Sequence, residues 1–207
     1  MSNHNDNDYE YHYNKWADIY CYPNTNILIN KFDIRNPNDL IITEREITSL
    51  KILEAEKNPI NGMFGLKHLQ NIHKFIFGDI YDWAGQIREG DFLIKGESIF
   101  CRAMFIESMA DEIHKKLKNE KYLRNLDKNL FISRLAYYMG EINALHPFRE
   151  GNGRTQRLYF RYLCVKAGYN LEFHGIDKKT PINADIAAFN REYKPLIEVL
   201  DRAVSKK

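Results

Sequence analysis

Apolar side chains recur every three to four residues in five stretches of the chain, and each stretch predicts a helix with one buried face. Leu69, Ile72, His73 and Ile76 form one stripe over residues 66–77, and Phe75, Phe77, Ile80, Tyr81 and Trp83 add to the expected core. Met104, Phe105, Met109, Ile113 and Leu117 mark a second helix over 102–117. Leu130, Phe131, Leu135, Met139 and Ile142 mark a third. It should stop near His146, because Pro147 disfavours helical geometry in the residue before it. Leu158, Leu163 and Val165 supply the inner side of a helix from Thr155 to Ala167. Ala187, Phe189, Tyr193, Leu196, Ile197 and Leu200 define the last, over 183–204, despite Pro195. A further helix starts at 42–46 on a different signal, since Thr43 and Glu46 have the spacing of a capping box. Its acidic residues, Glu44, Glu46, Glu54 and Glu56, read as a solvated face, and the Asn-Pro-Ile-Asn-Gly run at 58–62 breaks it.

One segment, 86–100, departs from the helical period. Phe92 and Ile94 alternate, while Gly90-Asp91 and Lys95-Gly96-Glu97 can turn, which predicts a β-hairpin. Residues 118–128 are charged and read as a connector. At the N-terminus, 1–8 is rich in Asn and Asp and reads as disordered, 9–20 is aromatic-rich and reads as a short helix, and Tyr22-Pro23-Asn24-Thr25 reads as a turn. The fold class is therefore mainly α: a helical bundle with one small β-hairpin. The boundaries expected are an extension over 1–20, a main domain over 21–175, and a helical segment over 176–207 packed on that domain.

Composition narrows the possibilities. A length of 207 residues with 44% hydrophobic content suits one domain with a proper core. The formal net charge of +2 argues against a direct nucleic-acid binder. Cys21, Cys101 and Cys164 have neither metal-site spacing nor the even number of a disulfide framework, which suits a reducing, cytoplasmic setting. No apolar run approaches a membrane span, and no basic-then-apolar leader opens the chain. A secretion signal read by a protein receptor need not be apolar, so delivery into a host stays open.

Candidate chemistry concentrates in one stretch, His146-Pro147-Phe148-Arg149-Glu150-Gly151-Asn152-Gly153-Arg154-Thr155-Gln156-Arg157. It lies between two predicted helices, so Gly151 and Gly153 sit at a helix N-terminus. There, backbone amides and the helix dipole make an anion site. Arg154 and Arg157 are three apart and share one helix face, spaced to hold two successive phosphates. Glu150 offers the oxygen that Mg²⁺ prefers, with phosphates and water completing the shell. His146 has an ordinary pKa suited to proton transfer near neutrality. Taken singly, each of these residues is more often structural: a cap, a turn, a solvated face. Together they predict phosphoryl or nucleotidyl transfer. The stretch has no Gly-Lys-Ser/Thr of a Walker A loop and no third glycine of a dinucleotide fingerprint.

The twelve residues resemble the signature of Fic domains, His-x-Phe-x-acidic-Gly-Asn-Gly-Arg-x-x-Arg, with every fixed position filled, and the likeness extends from about Tyr22 to Tyr169. That resemblance implies a protein adenylyltransferase moving AMP from ATP to a Ser, Thr or Tyr hydroxyl. By it, His146 is the base, Glu150 carries Mg²⁺, and the amides of Gly151 to Arg154 cradle phosphates. Asn152 donates to the α-phosphate, and Arg154 and Arg157 hold the β- and γ-phosphates. It also makes the 86–100 hairpin a flap on which a target segment docks, with Lys95 and Gly96 near the nucleotide. Phe148 should point into the core, and Arg149 should either pack outward or pair with an acid. Many Fic proteins carry an inhibitory Ser/Thr-x-x-x-Glu-Gly/Asn helix whose Glu would here meet Arg157. Ser108 to Glu112 has that spacing but is followed by Ile113, so the expectation is a chain without its own inhibitor, restrained by a small separate antitoxin. The alternatives are a Doc-type phosphotransferase delivering the γ-phosphate, a non-catalytic phosphate-binding module, and a helical nucleic-acid binder using Arg154, Arg157 and Arg161.

Overall fold

The computed structural model describes residues 11–12, 19–90, 94–95, 98–177 and 179–207. Among the described residues seven α-helices carry the fold: α1 (Pro37–Lys57), α2 (Leu66–Phe77), α3 (Ile106–Asn119), α4 (Lys128–Leu145), α5 (Asn152–Ala167), α6 (Lys179–Phe189) and α7 (Lys194–Ala203). Helix α4 lies at the centre, packed on α3, α5, α6 and α7, while α5 also packs on α2, and α2 on α1. Most of the predicted stripe residues are in the core: Phe131, Leu135, Met139 and Ile142 of α4, Leu69, Ile72 and Ile76 of α2, Ile113 and Leu117 of α3, and Leu158 and Leu163 of α5 are buried, whereas Met104, Phe105, Met109, Leu130 and Val165, expected on the same stripes, lie at their margins and are exposed.

The helix ends follow local chemistry. Asp127 caps α4, its carboxylate accepting from the amides of Asn129 and Leu130, and His146 terminates it in left-handed geometry (φ 44°, ψ 60°) rather than the extended form usual before proline. Helix α1 begins at Pro37, earlier than the capping-box pattern implied. Asn36 is the actual cap, accepting from the amides of Asn38 and Asp39, and Pro37 loses nothing there because a first-turn amide has no partner in the helix. Thr43 is thus inside the helix. The C-terminal segment is two helices rather than one, with Pro195 placed in the first turn of α7. The connector after α3 is not all solvated: Tyr122 and Leu123 are buried.

Three short strands form the hairpin region. Strand β2 (Ile94–Lys95) pairs antiparallel with β3 (Ser98–Ile99), Ile94 opposite Ile99 and Lys95 opposite Ser98, as the alternation predicted. Strand β1 (Tyr11–His12) pairs with the other side of β2, Tyr11 opposite Lys95 and His12 opposite Ile94. These two residues are strand where a helix was expected. The disorder expected over 1–8 and the Gly90-Asp91 turn at Asp91 lie outside the described residues, as does Gly96. A second ribbon, β4 (Tyr169–Leu171) with β5 (Val204–Lys206), ties the end of α5 to the end of α7. Among the described residues, no helix is long and apolar enough to cross a membrane.

Candidate active site

The loop from His146 to Gly151 joins the C-terminus of α4 to the N-terminus of α5 and is braced from inside. Phe148 is fully buried, its ring stacked on His73 at 4.0 Å. Asn152, also buried, accepts from the Phe148 amide through Oδ1 (3.0 Å) and donates to the Phe148 carbonyl through Nδ2 (2.8 Å). His73 Nδ1 accepts from the Gly85 amide (2.8 Å), which leaves Nε2–H to donate to the Glu150 carbonyl (2.9 Å). Burial pushes the His73 pKa down to about 4, so the imidazole stays neutral and both bonds persist. The periodicity places His73 on the inner stripe of α2, and it is buried there; its grip on the active loop was not visible, because Glu150 lies 77 residues away.

Two glycines serve different ends. Gly151 caps α5 at φ 81°, and a Cβ there would stand 2.3 Å from the Phe77 ring, so both backbone and packing demand glycine. Gly153 is helical and exposed, and its Cβ would meet nothing closer than the Arg157 guanidinium at 3.4 Å. The protein's own packing does not require that glycine. It leaves the first turn of α5 open to close approach from outside, where the amides of Asn152, Gly153 and Arg154 precede the first acceptor of the helix.

His146 is held through both its ring and its backbone. Its Nδ1 lies 3.3 Å from the Asn143 carbonyl, which favours the Nδ1–H tautomer and places the lone pair on Nε2, the form a general base needs. The ring stacks on Phe100 at 3.8 Å. Its carbonyl accepts from Arg88 Nε (2.9 Å), and the buried Arg88 also donates Nη2 to the Cys101 carbonyl and its own amide to the Pro147 carbonyl (2.9 Å). Arg88 therefore fastens both roots of the hairpin to the loop that carries His146. No pattern in the sequence singled it out, since a lone arginine before a turn has no signature.

Arg154 and Arg157 both line one cavity of about 370 Å³, with Arg161 beyond them, yet their surroundings differ. Arg154 Nη2 pairs with Glu44 at 2.7 Å, Nη1 donates to Thr48, and the guanidinium lies over Phe77 at 4.6 Å. Glu44 in turn accepts from the Tyr81 hydroxyl. This corrects the solvated face expected for Glu44, and Glu56 likewise pairs with Arg161, while Glu46 and Glu54 are exposed as expected. Arg157 makes no ion pair among the described residues. Its side chain reaches solvent, yet the packing around the guanidinium strips enough water from it to press its pKa below the usual range, opposed by the nearby Asp185 of α6 and aided by Arg154. Asp185 is pushed up to about 6 by burial, against the pull of Arg157. Arg149 packs inward rather than outward, buried with its guanidinium over Tyr20 at 5.9 Å.

Glu150 is partly exposed, and Oε1 accepts the Gly151 amide at 2.9 Å and lies 3.8 Å from Arg154 Nη2. Among the described residues no three His, Cys, Asp or Glu side chains gather to hold a metal. A single partly open carboxylate beside an anion site fits a Mg²⁺ that arrives with phosphates rather than one caged by protein. Lys95 is placed in the hairpin strand β2 by its backbone pairing. Asn152, expected as a donor to phosphate, has its side chain engaged with Phe148; its amide remains in the first turn of α5.

With this geometry in hand, likenesses to known proteins can be placed. Residues 63–164 match the Fic/DOC family. The chain is 38% identical to the probable protein adenylyltransferase Fic of Escherichia coli over 91% of this chain and 93% of that protein. It is 40% identical to the protein adenylyltransferase VbhT of Bartonella schoenbuchensis over 83% of this chain, which spans 36% of VbhT. Among solved structures, the Fic domain of a Bartonella quintana effector with bound ADP superposes with a TM-score of 0.88 at 26% identity, covering 93% of this chain and 97% of that one. BepC of Bartonella tribocorum, with bound AMPPNP, shares the fold with a TM-score of 0.88 at 24% identity over 94% of this chain and 100% of that one. A braced loop bearing every fixed position of the signature, in a chain 38% identical to the Escherichia coli protein over nearly its whole length, identifies it as a member of the Fic/DOC family.

Proposed function

We propose that this chain is a protein adenylyltransferase of the bacterial cytoplasm, moving AMP from ATP to a Ser, Thr or Tyr hydroxyl of a target protein. The observation that carries this assignment is the placement of His146 and the open first turn of α5 at the two ends of one rigid loop. ATP lays its phosphates on the amides of Gly151, Asn152, Gly153 and Arg154. Arg154 and Arg157 neutralise the β- and γ-phosphates, which leave as pyrophosphate. Mg²⁺, held by Glu150 and the phosphates, would supply further charge neutralisation there. His146 Nε2 takes the proton of the target hydroxyl, whose oxygen bonds to the α-phosphorus as the α–β phosphoanhydride bond breaks. The protein contributes placement and charge, so the braces from His73, Asn152 and Arg88 count as much as the groups that touch substrate.

The flap presents the target, with Lys95 of β2 on the nucleotide's side of the hairpin. A small separate antitoxin restrains the enzyme by setting a Ser/Thr-x-x-x-Glu helix against Arg157. Two features support that partner: Arg157 is exposed without an ion pair among the described residues, and Leu50 and Leu53 of α1 are exposed close to Ile52 and Glu56 of the same cavity. The Ser108–Glu112 segment lies on α3, which packs on α2 and α4, and serves no such role.

The test uses ATP labelled at the α- or γ-phosphate, Mg²⁺ and a bacterial lysate. Label from the α-position should enter protein and be lost in His146→Ala, by about 10²–10⁴-fold, the usual worth of a general base. ATP affinity should stay within about twofold. Transfer of the γ-label instead would assign the chain to phosphate transfer of the Doc kind.

A further inference from the structure

The protein's own side chains fasten Arg154 and leave Arg157 without an ion pair among the described residues. Glu44 on α1 accepts from Arg154 Nη2 through Oε1 at 2.7 Å, and its other oxygen accepts from the Tyr81 hydroxyl. Tyr81 is itself fully buried and stacked on Trp83 at 4.5 Å, so that hydroxyl is a fixed anchor. Thr48, one turn further along α1 and buried, donates its hydroxyl to the Glu44 carbonyl (2.7 Å) and keeps its lone pairs for Arg154 Nη1 (3.3 Å). The Phe77 ring completes the seat from α2. An ion pair on an open surface holds its partners loosely and is worth little. This one differs, because the Glu44 and Arg154 side chains are only 15% and 25% exposed and both carboxylate oxygens are engaged. Arg154 and Arg157 line the cavity of about 370 Å³, whereas Glu44 and Thr48 do not, so these two touch Arg154 without sharing its cavity.

Arginine has several freely turning bonds, and ordering them during a reaction raises its barrier. In Arg154 that ordering is already complete in the folded protein. The Glu44 charge has a second, opposite effect, since it offsets part of the attraction between Arg154 and a phosphate. The two effects act on different quantities. The charge weakens binding of ATP in its ground state, while fixed placement stabilises the charge that grows on the leaving pyrophosphate. We infer that Glu44 is a positioning residue of the transfer reaction, holding the Arg154 guanidinium against the leaving phosphates at some expense of ATP affinity. This rests on the adenylyltransferase reading and deepens it by giving Arg154 and Arg157 different parts, one fixed by the fold and one ordered by the nucleotide.

The full chain is assayed with α-labelled ATP, Mg²⁺ and bacterial lysate as the parent, as Glu44→Gln, as Arg154→Ala, and with both substitutions together. Gln keeps the volume and still accepts from Tyr81, so the fold should persist. In Glu44→Gln the labelling rate at saturating ATP should fall about tenfold. Affinity for a nonhydrolysable ATP analogue should hold or rise by up to about threefold, as one negative charge leaves the site. In the Arg154→Ala background the same substitution should change the rate by less than about twofold, because Glu44 acts only through that guanidinium. Tyr81→Phe keeps the Glu44 charge and frees one of its oxygens, and should lower the rate about threefold without loss of ATP affinity. An ion pair that served only the fold would lower the urea midpoint and leave rate and affinity as they were, which would overturn the proposal. So would a tenfold loss that persisted without Arg154, or a loss of ATP affinity equal to the loss of rate. Nuclear magnetic resonance of nitrogen-labelled arginine reads the placement without turnover. The Arg154 signals, assigned by their absence from Arg154→Ala, should show hindered guanidinium rotation that Glu44→Gln releases. Free rotation in the parent overturns the positioning role, whereas a parent with hindered rotation and no labelling dependent on His146 would bring down only the adenylyltransferase reading.

Discussion

Gly151 shows how much one position can carry. Its φ of 81° is strained for any residue with a side chain, and the Phe77 ring occupies the space a Cβ would need. Gly151→Ala should therefore destabilise the fold by about 2–4 kcal/mol, joining left-handed strain to overpacking. It should also weaken ATP binding, since the first turn of α5 would have to shift. Gly153→Ala meets only the movable end of Arg157, so its stability should change by less than about 1 kcal/mol while ATP affinity falls, because the new methyl stands where the nucleotide would approach. Urea unfolding beside nucleotide titration of the two variants separates a glycine kept for the protein from one kept for a ligand; equal stability losses would refute the distinction. The signature itself was legible residue by residue, because spacing and chemistry lie within a dozen positions. The division of labour inside it was not. That Asn152 spends its side-chain amide on Phe148 depends on a loop closing back on itself, and spacing alone does not record such a closure.

Among the elements, the amphipathic helices could be read and their long-range ties could not. Helix α2 spans the predicted 66–77, because a strong stripe is bounded by Gly65 and Gly78. The start of α1 was missed because Asn36-Pro37, the true cap and first turn, precedes any apolar period, whereas Thr43 and Glu46 matched a pattern by accident. The β4–β5 ribbon pairs residues more than thirty positions apart and leaves no local mark. The same holds for Arg88, the fastener between hairpin and loop. Arg88→Lys keeps the charge and loses the planar fork that reaches the His146 and Cys101 carbonyls together. The expected result is about a tenfold fall in kcat for AMP transfer, with ATP affinity within about twofold and faster amide exchange at Cys101, whose amide is bonded to the Ala144 carbonyl. A loss of ATP affinity equal to the loss of rate would instead place Arg88 among the nucleotide contacts.

Across the whole molecule, the buried His73 and the half-buried Asp185 pull stability in opposite directions as pH falls. Burial holds His73 at about 4 against an ordinary 6.5, outweighing its bond to the Glu150 carbonyl, with Arg154 adding repulsion and Glu150 attraction. The folded state resists that proton. The contribution of His73 is complete above pH 6.5 and is lost as pH falls through 4, a change of about 3 kcal/mol at most. Burial raises Asp185 to about 6 from 3.8, with Arg157 pulling the other way. Here the folded state prefers the neutral acid, so its contribution is complete below pH 3.8 and is lost as pH rises through 6, again by about 3 kcal/mol at most. The two windows overlap, so between pH 4 and 6 the pair offset each other. Asp185→Asn removes one side of that balance. The variant should exceed the parent by up to about 3 kcal/mol at pH 7, the pull of Arg157 being already contained in the raised pKa, and should converge with it near pH 4. Acidification should then destabilise the variant more steeply, because the His73 loss is no longer met by the Asp185 gain. Urea midpoints at pH 4, 5.5 and 7 measure this directly. A gain from Asp185→Asn that stayed the same at pH 4 would show that the carboxylate does not titrate in this window and that packing, not charge, separates the two proteins.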